Sequence, residues 1–182
     1  MNDHTNDELA ELARYGVATV HEASGRRGLA QGVRLFVGPA FAGPAVTVAI
    51  PAGDNLGIHA ALQACPPGAV LCVASPGSGA FGIFGDLLML AAAKRGLAAL
   101  VLDEDIRDFS QLAAPPSIAA RGVGARGTIK RRVASLGEPI TLGRILIRPG
   151  DVVVGDADGL CVVPAERLST VVAASRAREE KE

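Results

Sequence analysis

Apolar positions change texture halfway along the chain, and the change predicts its organisation. In the first half they recur at helical spacing or form short unbroken runs. Residues 7–15 read as a helix, and the T-x-x-E box from Thr19 to Glu22 starts a second one. Residues 45–50 form a strand that Pro51 closes. Residues 55–63 carry Leu56, Ile58, Ala60, Ala61 and Leu62 on a helical pattern, with Gly53-Asp54 as entry turn and N-cap. The run 70–74 is a buried strand, followed by a glycine-rich loop over 76–85. Residues 86–95 form a helix that stops at Gly96, and 97–102 is the next strand. A helix joins those two strands, so they pair in parallel.

The second half is punctuated more often. Short β-like pieces fall at 117–120, 129–133, 144–147, 152–154 and 160–163, with turns at Pro149-Gly150 and Asp158-Gly159. A last helix spans 165–182 and ends in solvated charge. The pattern predicts an α/β fold in one compact domain covering residues 1–182, with a β-rich C-terminal half.

Composition narrows the function. The chain has 182 residues, 49% hydrophobic and 20% charged, with a formal charge of -1, so nothing argues for nucleic acid as a partner. Aromatic residues make up 3%, with no Trp, which removes a base-stacking platform. Lysine occurs only at Lys94, Lys130 and Lys181, beside a helix end, in a basic segment and at the terminus. A Schiff-base enzyme needs a buried amine, and none of these positions offers one. The apolar runs are too short to span a membrane, and the polar N-terminus is no secretory signal. Cys65, Cys72 and Cys161 form no C-x-x-C pair, which points to buried, reduced thiols and a cytoplasmic protein.

Three signals carry chemistry. Gly77-x-Gly79-x-x-Gly82 matches a dinucleotide fingerprint between strand and helix. However, the helix opens with Asp86, which satisfies the helix dipole itself and repels a pyrophosphate. The second signal is Asp86 with Arg107-Asp108 at the exit of the next strand, near Asp103, Glu104 and Asp105. A parallel βαβ unit brings a helix N-terminus and strand ends to one edge. Carboxylates converging there suit a hard cation, and Arg107 and the Leu87 and Leu88 amides suit a substrate carboxylate. The residues alone leave open a plain helix cap and a surface ion pair. The third is Asn55 and His59, which share a helix face and are either pocket groups or structural. Arg126, Lys130, Arg131 and Arg132 read as a solvated strand edge.

Three runs resemble one family: Gly53-Asp54-Asn55-Leu56 with Ile58-His59, then Gly85-Asp86-Leu87-Leu88 with Arg107-Asp108, then residues 149–159 with Val162-Val163-Pro164. The chain is similar to the RraA-like group from Thr19 to Glu180. That group holds class II pyruvate aldolases for 4-hydroxy-4-methyl-2-oxoglutarate and 4-carboxy-4-hydroxy-2-oxoadipate. It also holds the regulator of ribonuclease activity A, and proteins labelled menaquinone methyltransferases. The spacing Asp86-x20-Arg107-Asp108 points to the aldolase branch.

The resemblance implies β/β/α-type layers and trimers or hexamers with sites between subunits. It implies Mg²⁺, or Mn²⁺ in its place, bound by Asp108 directly and by Asp86 through water. Arg107 and the Leu87 and Leu88 amides would hold a small 2-oxo acid, with Gly85, Asn55 and His59 around it. The activity implied is pyruvate release from a 4-hydroxy-2-oxo diacid, with oxaloacetate decarboxylation through the same enolate. The alternatives are a non-catalytic regulator that binds an RNA-degrading endonuclease, and a protein that binds S-adenosylmethionine.

Overall fold

The computed structural model describes residues 3–76 and 80–181, with side chains from residue 6 onward. The glycine fingerprint therefore lies partly outside the described residues, at 77–79. Strands are numbered in chain order. The first three are β1 (Arg34–Val37), β2 (Phe41–Ala49) and β3 (Val70–Ala74). Then come β4 (Gly82–Phe84), β5 (Ala99–Leu102), β6 (Asp105–Ile106), β7 (Ser117–Ala120) and β8 (Gly122–Val123). The last five are β9 (Ser135–Leu136), β10 (Ile140–Leu142), β11 (Ile145–Ile147), β12 (Val152–Asp156) and β13 (Gly159–Val163). The helices are α1 (Asp3–Ala23), α2 (Leu56–Ala64), α3 (Asp86–Lys94) and α4 (Leu168–Glu179).

The main sheet runs β1-β7-β5-β3-β2-β12-β13. Its centre, β2-β3-β5-β7, is parallel, with Ala45 opposite Val70 and Val70 opposite Ala99. Those strands read as unbroken apolar runs because both faces are covered. On one face α2 and α3 bury Ile58, Leu62, Leu88 and Met89 against Leu71, Val73, Leu100 and Leu102. On the other, the β10-β11 hairpin brings Ile140, Leu142 and Ile147 against Cys72, Val101 and Val153. This is the expected mixed α/β fold with hairpin, sheet and helix layers. A third core packs α1 and α4 on β12 and β13 through Leu12, Val17, Val20 and Val171. No described helix is long and apolar enough to cross a membrane.

Several boundaries differ from expectation. The N-terminal helix breaks at Gly16 (φ 78°, ψ 170°), not at Thr19. Its second half is capped from a distance: the Val17 N–H donates to Asp156 Oδ2 at 2.7 Å, and Asp156 sits at the end of β12. The glycine-rich loop contains β4, which pairs with β6 and then β8 in a small parallel sheet. Residues 129–133 form no strand, only a bridge between Asp54 and Ile129. Strands β1 and β9 and the early start of β2 were not anticipated, and the last helix opens with a 3-10 turn, Ala165–Arg167. The predicted piece at 144–147 is one arm of a two-residue hairpin. Gly143 (φ 55°) and Arg144 (φ 67°) make its turn, the conformation that matches strand twist.

Candidate active site beside the parallel strands

Two helix starts and one strand exit supply the site. At the start of α2, Asp54 is buried and accepts four backbone hydrogen bonds. Its Oδ1 takes the Leu56 N–H (3.1 Å) and Arg131 N–H (3.2 Å), and Oδ2 takes those of Arg131 and Arg132 (both 3.0 Å). Burial opposes ionisation, but the N–H groups of Leu56, Arg131 and Arg132 outweigh it and hold Asp54 below the usual aspartate range. The N-cap residue is Asn55, one past the expected Asp54. Asp54 takes the first helical N–H from just outside the helix and also clamps the backbone of residues 131 and 132, a role that its sequence position does not reveal.

Asn55 follows, also buried. Its Nδ2 donates to the Ile83 carbonyl at 3.0 Å, which fixes the amide orientation and leaves Oδ1 without a partner. One turn on, His59 Nε2 is likewise buried and unpartnered. Burial first, then the charge of Lys130, hold His59 below its ordinary pKa, so its ring is neutral at neutral pH.

At the start of α3, Gly85 precedes Asp86, and the Leu87 N–H donates to Asp86 Oδ1 at 2.8 Å. The Leu87 amide expected to face a substrate is therefore engaged by its neighbour's carboxylate. Past β6, Arg107 donates its N–H to Phe84 O (2.9 Å), and Asp108 takes a left-handed backbone (φ 53°, ψ 32°). An ion pair joins Arg107 Nε to Asp108 Oδ2 at 3.4 Å, both groups being partly exposed. Their place explains Gly85. A Cβ there would press on Asp108 Oδ2 and stand 3.1 Å from Arg107 Cγ. The Asp108 carboxylate thus lies on the backbone next to Asp86.

Seven of the eight predicted residues line one cavity of about 50 Å³: Asn55, His59, Gly85, Asp86, Leu87, Leu88 and Arg107. Asp108 borders an adjoining hollow of about 260 Å³ that shares Arg107. Lys130 also lines the first cavity, and sequence reasoning missed it. A larger hollow of about 720 Å³ lies beyond β2 and β3, mostly apolar, with Arg132 as its charged lining residue.

The neighbouring acids are committed elsewhere. Asp103 pairs with Arg121 at 2.5 Å. Glu104 is buried and accepts from Ser75 Oγ (3.0 Å) and the Phe81 N–H (3.3 Å). Asp105 packs against Gly122 and Gly124. Among the described residues no group of three His, Cys, Asp or Glu side chains is placed to hold a metal. Arg126, expected at a solvated edge, lies over the Phe81 ring at 3.9 Å. The three cysteines are buried thiols, with Cys65 and Cys161 pushed up to about 11 by burial and Cys72 raised as well.

The chain is 34% identical over 138 residues to a Halalkalibacterium halodurans protein provisionally named 4-hydroxy-4-methyl-2-oxoglutarate aldolase, covering 75% of this chain and 66% of that one. A Cupriavidus necator protein with the same provisional name is 32% identical over 91% of this chain and 93% of its own. In structure, Streptomyces coelicolor RraAS2, described as an unusual member of the RNase ES inhibitor RraA family, superposes with a TM-score of 0.85. It is 28% identical, over 96% of this chain and 93% of that one. The profile of the RraA-like family, described as Aldolase/RraA, matches residues 10–162, and the chain belongs to that family.

Proposed function

We propose that the chain is a metal-dependent aldolase. It releases pyruvate from a 4-hydroxy-2-oxo diacid of the 4-hydroxy-4-methyl-2-oxoglutarate type and decarboxylates oxaloacetate as a side activity. The observation that carries this reading is the meeting of Asp86, Arg107 and Asp108 around Gly85.

The donor set fits a hard cation. Asp86 and Asp108 offer carboxylate oxygens only, and Mg²⁺ commonly takes one or two carboxylates, keeping its other positions for water and substrate oxygens. Asp108 would hold Mg²⁺ or Mn²⁺ directly and Asp86 through water. When bound, the ion supplies a Lewis acid for the carboxylate and keto oxygens of a 2-oxo acid.

The chain's own groups do the rest. Arg107 forks onto the substrate carboxylate and stabilises the charge that develops on the C2 oxygen. A water held by Asp86 takes the C4-hydroxyl proton. The C3–C4 bond then breaks, its electron pair forms the pyruvate enolate, and a proton returns to C3. Oxaloacetate loses CO₂ by breaking the corresponding bond, leaving the same enolate. The Leu88 amide and, once Asp86 turns away, the Leu87 amide help hold the carboxylate. Assembly into a trimer or hexamer with sites at subunit boundaries belongs to this reading. Leu87, Leu90 and Phe109, which are 74%, 60% and 44% exposed, support it as apolar surface beside the site.

The test is pyruvate release from oxaloacetate and from 4-hydroxy-4-methyl-2-oxoglutarate with Mg²⁺ present. Asp108→Ala is expected to lower kcat/KM at least about 100-fold. No pyruvate above background, or full activity in Asp108→Ala, overturns the reading. The likeness to RraAS2 supports a second reading, a regulator that binds an RNA-degrading endonuclease without catalysis. Capture of such an endonuclease by a chain that releases no pyruvate would favour it.

A further inference from the structure

The cavity beside Asp86 has two cations in its wall, and they differ in their company. Arg107 has the Asp108 carboxylate at 3.4 Å. Lys130 lines the same cavity and pairs with no carboxylate among the described residues. An exposed lysine on a free loop would be a solvated charge, but this one sits on a fixed backbone. The Asn55 N–H donates to Ile129 O at 3.0 Å, and the Ile129 N–H donates to Gly53 O at 2.9 Å. On the other side, the Arg131 and Arg132 N–H groups end on the buried Asp54 carboxylate. Lys130 is therefore pinned from both directions to the start of α2, which lowers the entropy lost when its side chain meets a ligand.

The same cavity wall holds two buried polar atoms without partners, Asn55 Oδ1 and His59 Nε2. Asn55 is 95% buried, its residual exposure being 5%, and its Nδ2 is already used. Its Oδ1 requires a donor, and a buried acceptor left empty is costly. A ligand that satisfies this wall carries an anion toward Arg107, a second anion toward Lys130 and a hydroxyl donor toward Asn55.

We propose that Lys130, placed by the Asp54 clamp, is the specificity-determining residue that reads the second, distal carboxylate of a diacid substrate. The assignment rests on the aldolase reading for its substrate class. Lysine suits the task because a compact charge on a flexible stem can follow a carboxylate whose position varies with chain length. Asp54 acts as a positioning residue through the backbone of 131 and 132.

The test compares two probes that differ only at the far end, 2-oxoglutarate and 2-oxopentanoate, by calorimetric titration with Mg²⁺ present. The wild-type chain is expected to bind the diacid about tenfold or more tightly than the monoacid, the scale of one charge-assisted contact. In Lys130→Met that preference should shrink to about twofold or less, whereas Lys130→Arg should retain it. Survival of the preference in Lys130→Met, absence of a preference in the wild type, or binding of neither acid overturns the assignment. Pyruvate release measured alongside separates the two claims. A chain that releases no pyruvate yet loses its diacid preference in Lys130→Met keeps this assignment and loses the aldolase reading. A chain that releases pyruvate with the preference intact in Lys130→Met does the reverse.

Discussion

Two polar clusters lie at the ends of the parallel strands, and they differ in what is left over. In Asp103-Glu104-Asp105, Asp103 holds Arg121, Glu104 holds Ser75 and Phe81, and Asp105 fills the space that Gly122 and Gly124 leave. In the cluster around Gly85, Asn55 Oδ1 and His59 Nε2 have no partner, and Lys130 has no counter-ion among the described residues. By count of charges the first looks like the richer site. By unsatisfied valence the second has more left over. In the first, Asp103 Oδ1 lacks a hydrogen bond but still faces the Arg121 guanidinium, whereas Asn55 Oδ1 and His59 Nε2 face no charge partner, and a buried polar group without a partner costs stability.

The sharpest way to break this comparison is Gly85→Ala. The Gly85 backbone is extended (φ -147°), so alanine meets no conformational penalty there, and the experiment isolates the added methyl. That methyl would displace Asp108 Oδ2 and crowd Arg107 Cγ. Pyruvate release is expected to fall at least about 100-fold through misplaced groups. Stability should fall by about 1–3 kcal/mol through overpacking, read from a urea melt. Wild-type kcat/KM in this variant would mean that the Arg107–Asp108 arrangement is not the working part.

Much of this was legible in the chain, for physical reasons that also mark where legibility ends. Strands β3 and β5 are covered on both faces and therefore appear as apolar runs, and α2 and α3 carry their period and their turns in the sequence. Because a parallel unit puts strand exits and helix starts at one edge, the spacing from Asp86 to Arg107-Asp108 translates directly into proximity. What was missed depends on partners far away in the chain. The cap of Val17 comes from Asp156, 139 residues on. Strands β4, β6 and β8 have two or three residues each, too few to show alternation. Lys130 sits in a basic run with no period, and it is the Asp54 clamp, 77 residues back from Arg131, together with the Ile129 bonds to Gly53 and Asn55, that turns that run toward the site.

Asp54→Asn tests the clamp and is expected to act mainly on stability. The amide replaces one acceptor oxygen by a donor facing N–H groups, a loss of about 1–3 kcal/mol at pH 7. The pH dependence identifies the cause. The folded pKa of Asp54 lies below its unfolded value, so the carboxylate's contribution is complete above the ordinary aspartate value of about 3.9 and is lost as pH falls through the folded pKa. The gap between wild type and Asp54→Asn in chemical denaturation should therefore be constant from pH 7 to pH 5 and close in stronger acid. A gap that persists unchanged at the lowest pH where both chains fold would assign the loss to packing. The diacid preference of Lys130 should weaken in the same variant.

Glu104→Gln should have the smallest effect, and it tests the other half of the comparison. Ser75 Oγ can donate or accept, and the Phe81 N–H needs one acceptor oxygen. A glutamine at 104 meets both demands, its oxygen taking the amide and its NH₂ donating to the hydroxyl. Stability is expected to change by less than about 1 kcal/mol, and kcat/KM for pyruvate release to stay within about twofold. Glu104→Leu keeps the bulk but strands both donors, and should cost about 1–3 kcal/mol. The two variants together separate hydrogen bonding from charge. If Glu104→Gln instead removes activity while its melting curve is unchanged, the carboxylate itself matters, and the acidic run is part of the site rather than its scaffold.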